Sequence, residues 1–391
     1  MTLSRRQFSC ALCCLASLVV ARGVAAQGET GRTFLAPGYR PPPGSDERGL
    51  WSLMDRAERR LKDSRFLVRD PTLNAYVQDI VCRLNKDHCP DIRPYVIRTP
   101  RFNASMAPNG MMQVWTGLLL RCSDEAQFAA IIGHEMGHYL RQHTVERWRD
   151  AREKADFGAV LGLGLAVAGV GYAGSLTNLA LTASMFAFSR DQEREADEIG
   201  LELMLKAGYD PVAAPEVWEQ LIAEAKAGTA ERSSNILFAT HPEPEERLVA
   251  LRQAAASRGG KAGERGYDRY RQKLAGVREE IFHDELALRQ YGRSELVFDR
   301  LIKQSPDDGM LWYAKGEVYR LRGNTSDAAL AIDAYSKALD TSNAPPETYR
   351  SIVLVELKRG ERDKAQAAFD SYIDLKPNAP DAGALRMILN Q

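Results

Sequence analysis

Residues 134–143 read HEMGHYLRQH, and this decapeptide constrains the fold more than any other part of the chain. His134 and His138 stand four apart, so on a helix they share one face and can point at a single ion. Glu135 then sits about 100° round the helix from His134. Zinc suits imidazole, and a catalytic site takes three protein ligands and keeps a fourth position open. Glu135 is placed to take a proton from a water there, which makes it the candidate catalytic base. Phe128, Ala129, Ala130, Ile131 and Ile132 before the motif are uncharged, and Gly133 and Gly137 are small. That is the pattern of a buried, closely packed helix. The fold must bury it and bring a third ligand to it, although the same five-residue pattern also arises by chance in unrelated chains.

His143 is the first candidate for that ligand. If the helix runs on, however, it lies about 180° from His134 and cannot reach the same ion. It is expected at the surface or at a helix end. A carboxylate must come from elsewhere. SRDQEREADEIG (189–200) reads as a helix with Glu193 and Asp197 at i,i+4 on one face. Glu193 would complete a His134–His138–Glu193 metal set, with Asp197 accepting the other ring proton of a ligating histidine. The plainer reading is a solvated charged face, since Arg190, Arg194 and Glu195 share the segment.

HEMGH followed by SRDQEREAD resembles the zinc peptidase family of the CAAX prenyl endoproteases and HtpX, whose second motif is S-R-x-x-E-x-x-A-D. Ser189, Arg190, Glu193, Ala196 and Asp197 match it without a gap. The resemblance implies an α+β, gluzincin-like metallopeptidase fold, one Zn2+ per chain and Glu193 as third ligand. NASMAPNGMMQVWTGLL (103–119) resembles the family's edge strand above the active site. There Asn103, with Met111, Gln113 and Trp115 on the 111–116 strand, would hold an extended substrate by β-strand addition. Ser105 stands where the family often has an aromatic. THPEPEERL (240–248) resembles the family's H-P-x-x-x-x-R stretch, which makes His241 and Arg247 candidates for transition-state contacts or for capping the zinc when idle.

The first residues fit an export signal: Arg5 and Arg6, an apolar run from Cys10 to Ala21, and small residues up to Ala26. The pathway stays open between general secretion and twin-arginine export. Removal of 1–26 would leave Cys82, Cys89 and Cys122, and in an oxidising compartment Cys82 and Cys89 can close a short loop. A metal site on Cys82, His88 and Cys89 is the rival reading. With 52 basic and 52 acidic residues the chain lacks the surplus of a nucleic-acid binder.

The rest reads as a linker at 27–48, a peptidase domain at 49–257, a second linker at 258–267 and a helical domain at 268–391. The peptidase domain is mainly α with a small β-sheet, its helices including one long element over about 124–146 and its sheet including an Asn109-Gly110 hairpin signal. Residues 157–188 hold no charge and read either as a membrane hairpin or peripheral membrane segment, or as a pair of buried helices. Beyond residue 268, LWYAKGEVYRLRGN and ETYRSIVLVELKRGE each end in Arg-Gly and precede an Ala-rich helix. These pairs resemble tetratricopeptide repeats, with a plain helical bundle as the alternative. An exported peptidase followed by such repeats is similar in layout to periplasmic proteases that assist outer-membrane β-barrel assembly. The layout implies unfolded or misassembled protein substrates and an assembly-machinery partner held by the repeats. Two other readings stand beside it: a repeat-containing chaperone with a self-inhibited zinc site, and an integral membrane protease.

Overall fold

The computed structural model describes residues 34–153, 188–227, 241–258 and 263–390. The expected signal segment 1–26 and the apolar stretch up to residue 187 lie outside them, so the membrane question at 157–188 does too. Among the described residues no helix is long and apolar enough to cross a membrane.

Helix α1 (Asp46–Lys62) starts at a Ser45 cap, inside the stretch expected as a linker, and buries Leu50, Trp51, Met54 and Leu61. Residues 34–44 are tied down as well: Leu35 N–H donates to the Leu140 carbonyl at 2.8 Å, and Gly38 N–H to Asp91 at 2.7 Å. Asp70 caps α2 (Pro71–Leu84), where proline takes a first-turn position that needs no donor. Cys82 and Cys89 form the expected disulfide, and Cys122 is free and buried.

Three strands follow: β1 (Arg93–Ile97), β2 (Ala104–Met106) and β3 (Met111–Trp115), in the sheet order β1-β3-β2. β1 runs parallel to β3 with Arg93 opposite Met111, and β2 pairs antiparallel with Ser105 opposite Gln113. The β2–β3 hairpin turns at Asn109-Gly110, where Gly110 takes φ 85° and a Cβ would run into the Asp91 carbonyl. β3 is therefore the central strand. The expectation that 111–116 pairs with substrate fails, because both of its edges already carry ladder hydrogen bonds. Met111 and Trp115 are buried against Leu50, Met54 and Val145. β1 and β2 are the two edge strands. Residues 66–68 bond to the outer side of β1 through Val68 N–H to Val96 and Arg98 N–H to Phe66, and the outer edge of β2 has no such backbone bonds among the described residues.

After the short α3 (Thr116–Arg121), Asp124 caps α4 (Glu125–Leu140), and every residue of that helix is buried. The single helix expected over 124–146 is two. Gln142 takes φ 56° and α5 (His143–Glu153) sets off in a new direction, with no glycine or proline to signal the break. A Ser189/Gln192 capping box opens α6 (Arg190–Lys206), followed by α7 (Ala213–Ala227) and α8 (Pro244–Ser257).

The second expected linker is anchored over 263–266. Glu264 N–H reaches the Gly208 carbonyl, Ala126 N–H reaches Arg265, and Arg265 pairs with Asp124 and Glu216. Next come α9 (Tyr267–Leu274), α10 (Arg278–Ala287) and α11 (Tyr291–Gln304). One hydrophobic core runs from Leu73 through Phe128 to Phe298 and Val318, so the helical part packs on the peptidase part without a seam. Arg121, buried, bridges Glu224 of α7 and Glu285 of α10 across that junction.

The chain ends in the helix pairs α12 (Gly309–Arg322) with α13 (Asp327–Leu339) and α14 (Glu347–Arg359) with α15 (Arg362–Leu375), then α16 (Ala382–Leu389). Gly323 and Gly360 terminate α12 and α14 at φ 72° and 78°, which explains the repeated Arg-Gly. Gly316 lies so near Tyr335 that a Cβ there would strike the ring. This is the small-residue packing that tetratricopeptide-like pairs require.

Candidate metal centre

The site rests on how closely α4 and α6 approach. A Cβ on Gly133 would lie 3.1 Å from the Gly200 carbonyl oxygen, and one on Gly200 would lie 2.8 Å from the His134 amide nitrogen. With backbones this near, His134 and His138 of α4 meet Glu193 of α6. His241, just ahead of α8, joins them from a third direction. The four side chains are buried, and their ligand atoms all fall within 4.8 Å of one another. Among the described residues this is the one group of histidines, cysteines and carboxylates gathered in this way.

The spacing fits a tetrahedral ion. His134 Nε2 lies 3.1 Å from His138 Nε2, 3.3 Å from His241 Nδ1 and 3.5 Å from Glu193 Oε2. Glu193 Oε1 is 3.5 Å from His138 Nε2 and 3.0 Å from His241 Nδ1. Metal–ligand bonds of the lengths zinc makes to nitrogen and oxygen set the edges of such a tetrahedron at about 3.4 Å. Burial lowers the pKa of both His134 and His138, which leaves ring lone pairs for a cation. Burial opposes ionisation of Glu193, but His241 and Arg247 beside it hold its carboxyl well below the usual range.

The surrounding groups orient the four. His134 turns Nδ1 to Asp197 at 2.9 Å, the role expected of Asp197. Arg247 places Nη1 2.5 Å from Glu193 Oε2 and Nη2 2.5 Å from Asp197 Oδ1, with its guanidinium 4.0 Å from the centre of the Trp218 ring. Nε and Nη2 of Arg247 thus donate to Asp197, Nη1 forms an ion pair with Glu193, and Nη2 also lies 3.1 Å from His134 Nδ1. Phe188 stacks on His138, ring centres 3.7 Å apart, and closes the apolar side of the site.

Glu135 is buried, with Oε1 3.6 Å from His241 Nε2. Burial pushes its carboxyl up to about 7, the poise that suits a general base. Met106 and Pro108, flanking the end of β2, line a small cavity with His138 and Tyr139, which puts the unpaired β2 edge beside the metal group. Asn103, at the start of that strand, is buried, and its Oδ1 has no hydrogen-bond partner.

Residues 67–255 match peptidase family M48, and residues 280–344 match a tetratricopeptide repeat. The chain carries an M48 peptidase domain. It is 31% identical over 207 residues to the beta-barrel assembly-enhancing protease of Escherichia coli (strain K12), covering 50% of this chain and 42% of that protein. It is 36% identical over 162 residues to the mitochondrial metalloendopeptidase OMA1 of Schizosaccharomyces pombe, covering 41% of this chain and 45% of the relative. A Vibrio cholerae relative, the putative beta-barrel assembly-enhancing protease, is 28% identical over 211 residues. The chain thus spans less than half the length of these relatives.

Inside the M48 domain, the structure gathers His134, Glu135, His138, Glu193, Asp197, His241 and Arg247, every residue the sequence had singled out for the metal and its surroundings. His143 is the correction. It stands at a helix end and outside the metal group, as expected, but it is buried rather than at the surface, with Nδ1 2.9 Å from His138 Nδ1. The break at Gln142 swings it inward, whereas an unbroken helix would have held it on the face opposite His134. Phe188 was missed too, because an aromatic at the end of an apolar run carries no sign of what it will cover.

Proposed function

We propose that this chain is an exported, zinc-dependent endopeptidase that cleaves unfolded or misassembled proteins in the bacterial envelope. One observation carries the reading: His134, His138 and Glu193 converge at tetrahedral spacing with the buried Glu135 one residue along the same helix. A zinc ion held by these three would polarise a water and the scissile carbonyl. The residues do the rest. Glu135 takes the proton from the attacking water and returns it to the leaving amine. His241 stands at the fourth corner and caps the site when idle, withdrawing to let substrate in. An extended peptide would add to the free β2 edge near Asn103, in place of the occupied β3. Periplasmic location and a part in outer-membrane protein quality control follow the layout shared with the assembly-enhancing proteases. The repeats would recruit substrate or an assembly-machinery partner, and 157–188 would supply any peripheral membrane contact.

Wild type and Glu135→Gln, both zinc-loaded, should be compared on a purified unfolded β-barrel protein. Cleavage is expected from wild type alone. Equal cleavage, or none by either, rejects the endopeptidase reading in favour of a chaperone with a self-inhibited site.

A further inference from the structure

We infer that His143, which is not itself a metal ligand, is a positioning residue that fixes the tautomer of His138 through a relay ending at Glu195. His143 stands at the first position of α5, is 1% exposed, and bridges two partners. Its Nδ1 lies 2.9 Å from His138 Nδ1, and its Nε2 lies 3.1 Å from Glu195 Oε2. Arg141 holds Glu195 from the other side, its Nε 2.8 Å from Oε1.

The protons in this chain can be assigned from its far end. A carboxylate only accepts, so His143 Nε2 carries a hydrogen and donates it to Glu195. In the neutral ring His143 Nδ1 is then an acceptor, and the hydrogen between the two rings sits on His138 Nδ1. His138 Nε2 is left with a lone pair directed at His134, Glu193 and the space between them. The reverse order would put the hydrogen on His138 Nε2 and block coordination. His134 is set in the same sense by a direct carboxylate, Asp197. His138 reaches its carboxylate through a second imidazole, because Glu195 lies on α6 beyond its reach. The break at Gln142 gives this reading its structural sense: it ends α4 in time for the next residue to turn back beneath the second ligand.

The inference rests on the zinc reading above, and the test separates the two. Zinc affinity of the full chain would be measured by chelator competition for wild type, His143→Leu, His143→Asn and Glu195→Ala. Outer partners of metal-bound histidines typically contribute about 10–100-fold in affinity, and a loss in that range is expected for His143→Leu. His143→Asn offers a carbonyl oxygen where Nδ1 stood and should recover most of it. Glu195→Ala, at a partly exposed side chain, should lose affinity without unfolding, and it decides the matter if His143→Leu does not fold. Wild-type affinity in both His143→Leu and Glu195→Ala overturns the relay, as does equal loss in the Leu and Asn variants. A wild type that binds no zinc overturns the metal reading itself, and the relay with it.

Discussion

Gly137 and Ala196 meet so closely that a Cβ on Gly137 would lie 2.8 Å from the Ala196 carbonyl oxygen. No side chain fits at this crossing of α4 and α6, and the ligands of the two helices converge because of it. Gly137→Ala should therefore force the helices apart, with an overpacking cost of about 1–3 kcal/mol. Urea denaturation and zinc content measured together should both fall. Unchanged zinc content would detach the crossing from the metal site.

Arg247 is the buried cation shared by Glu193 and Asp197. Replacing it by leucine strands two buried carboxylates, a change of the kind that costs about 3–5 kcal/mol. A bound zinc ion supplies positive charge at Glu193, so the loss should be larger in chelator than in zinc. Thermal melts of Arg247→Leu in the two conditions check this, and identical deficits would count against the electrostatic account.

His241 can be separated from the other three ligands. With His241→Ala, zinc should stay on His134, His138 and Glu193 while the fourth corner opens, so cleavage should rise. Metal analysis beside an initial-rate assay distinguishes the two roles that the sequence left open. A fall in rate with zinc retained would assign His241 to the transition state.

Acid should weaken the contact between α1 and the sheet. Glu58 accepts from Arg93 Nε and from Tyr95, each at 2.7 Å. Burial raises its pKa, but these donors outweigh it and bring the carboxyl from 4.5 down to about 2. A carboxylate held low in the folded state adds stability above its unfolded value, and that contribution drains away as pH falls through the folded one. Glu58→Gln should thus be less stable than wild type at neutral pH and approach it as the pH drops below about 4. Urea midpoints across that range provide the check; a constant gap between the two proteins would contradict the assignment.

What the sequence alone determined is local. The i,i+4 histidines, the Asn109-Gly110 turn and the glycines ending α12 and α14 are short-range features, and each lies where its residues required. Glu193 and Asp197 were legible because they too share one helical face, and His241 and Arg247 because they match a family motif. Tertiary structure decided the rest. Sheet order is not written in a strand's own residues, so β3 read as an edge until β1 and β2 closed on both its sides. The break at Gln142 has no local mark, because neither glycine nor proline stands at its left-handed position. For that reason His143 looked like a bystander in HEMGHYLRQH, and the fold instead set it behind His138, bonded to a carboxylate on another helix.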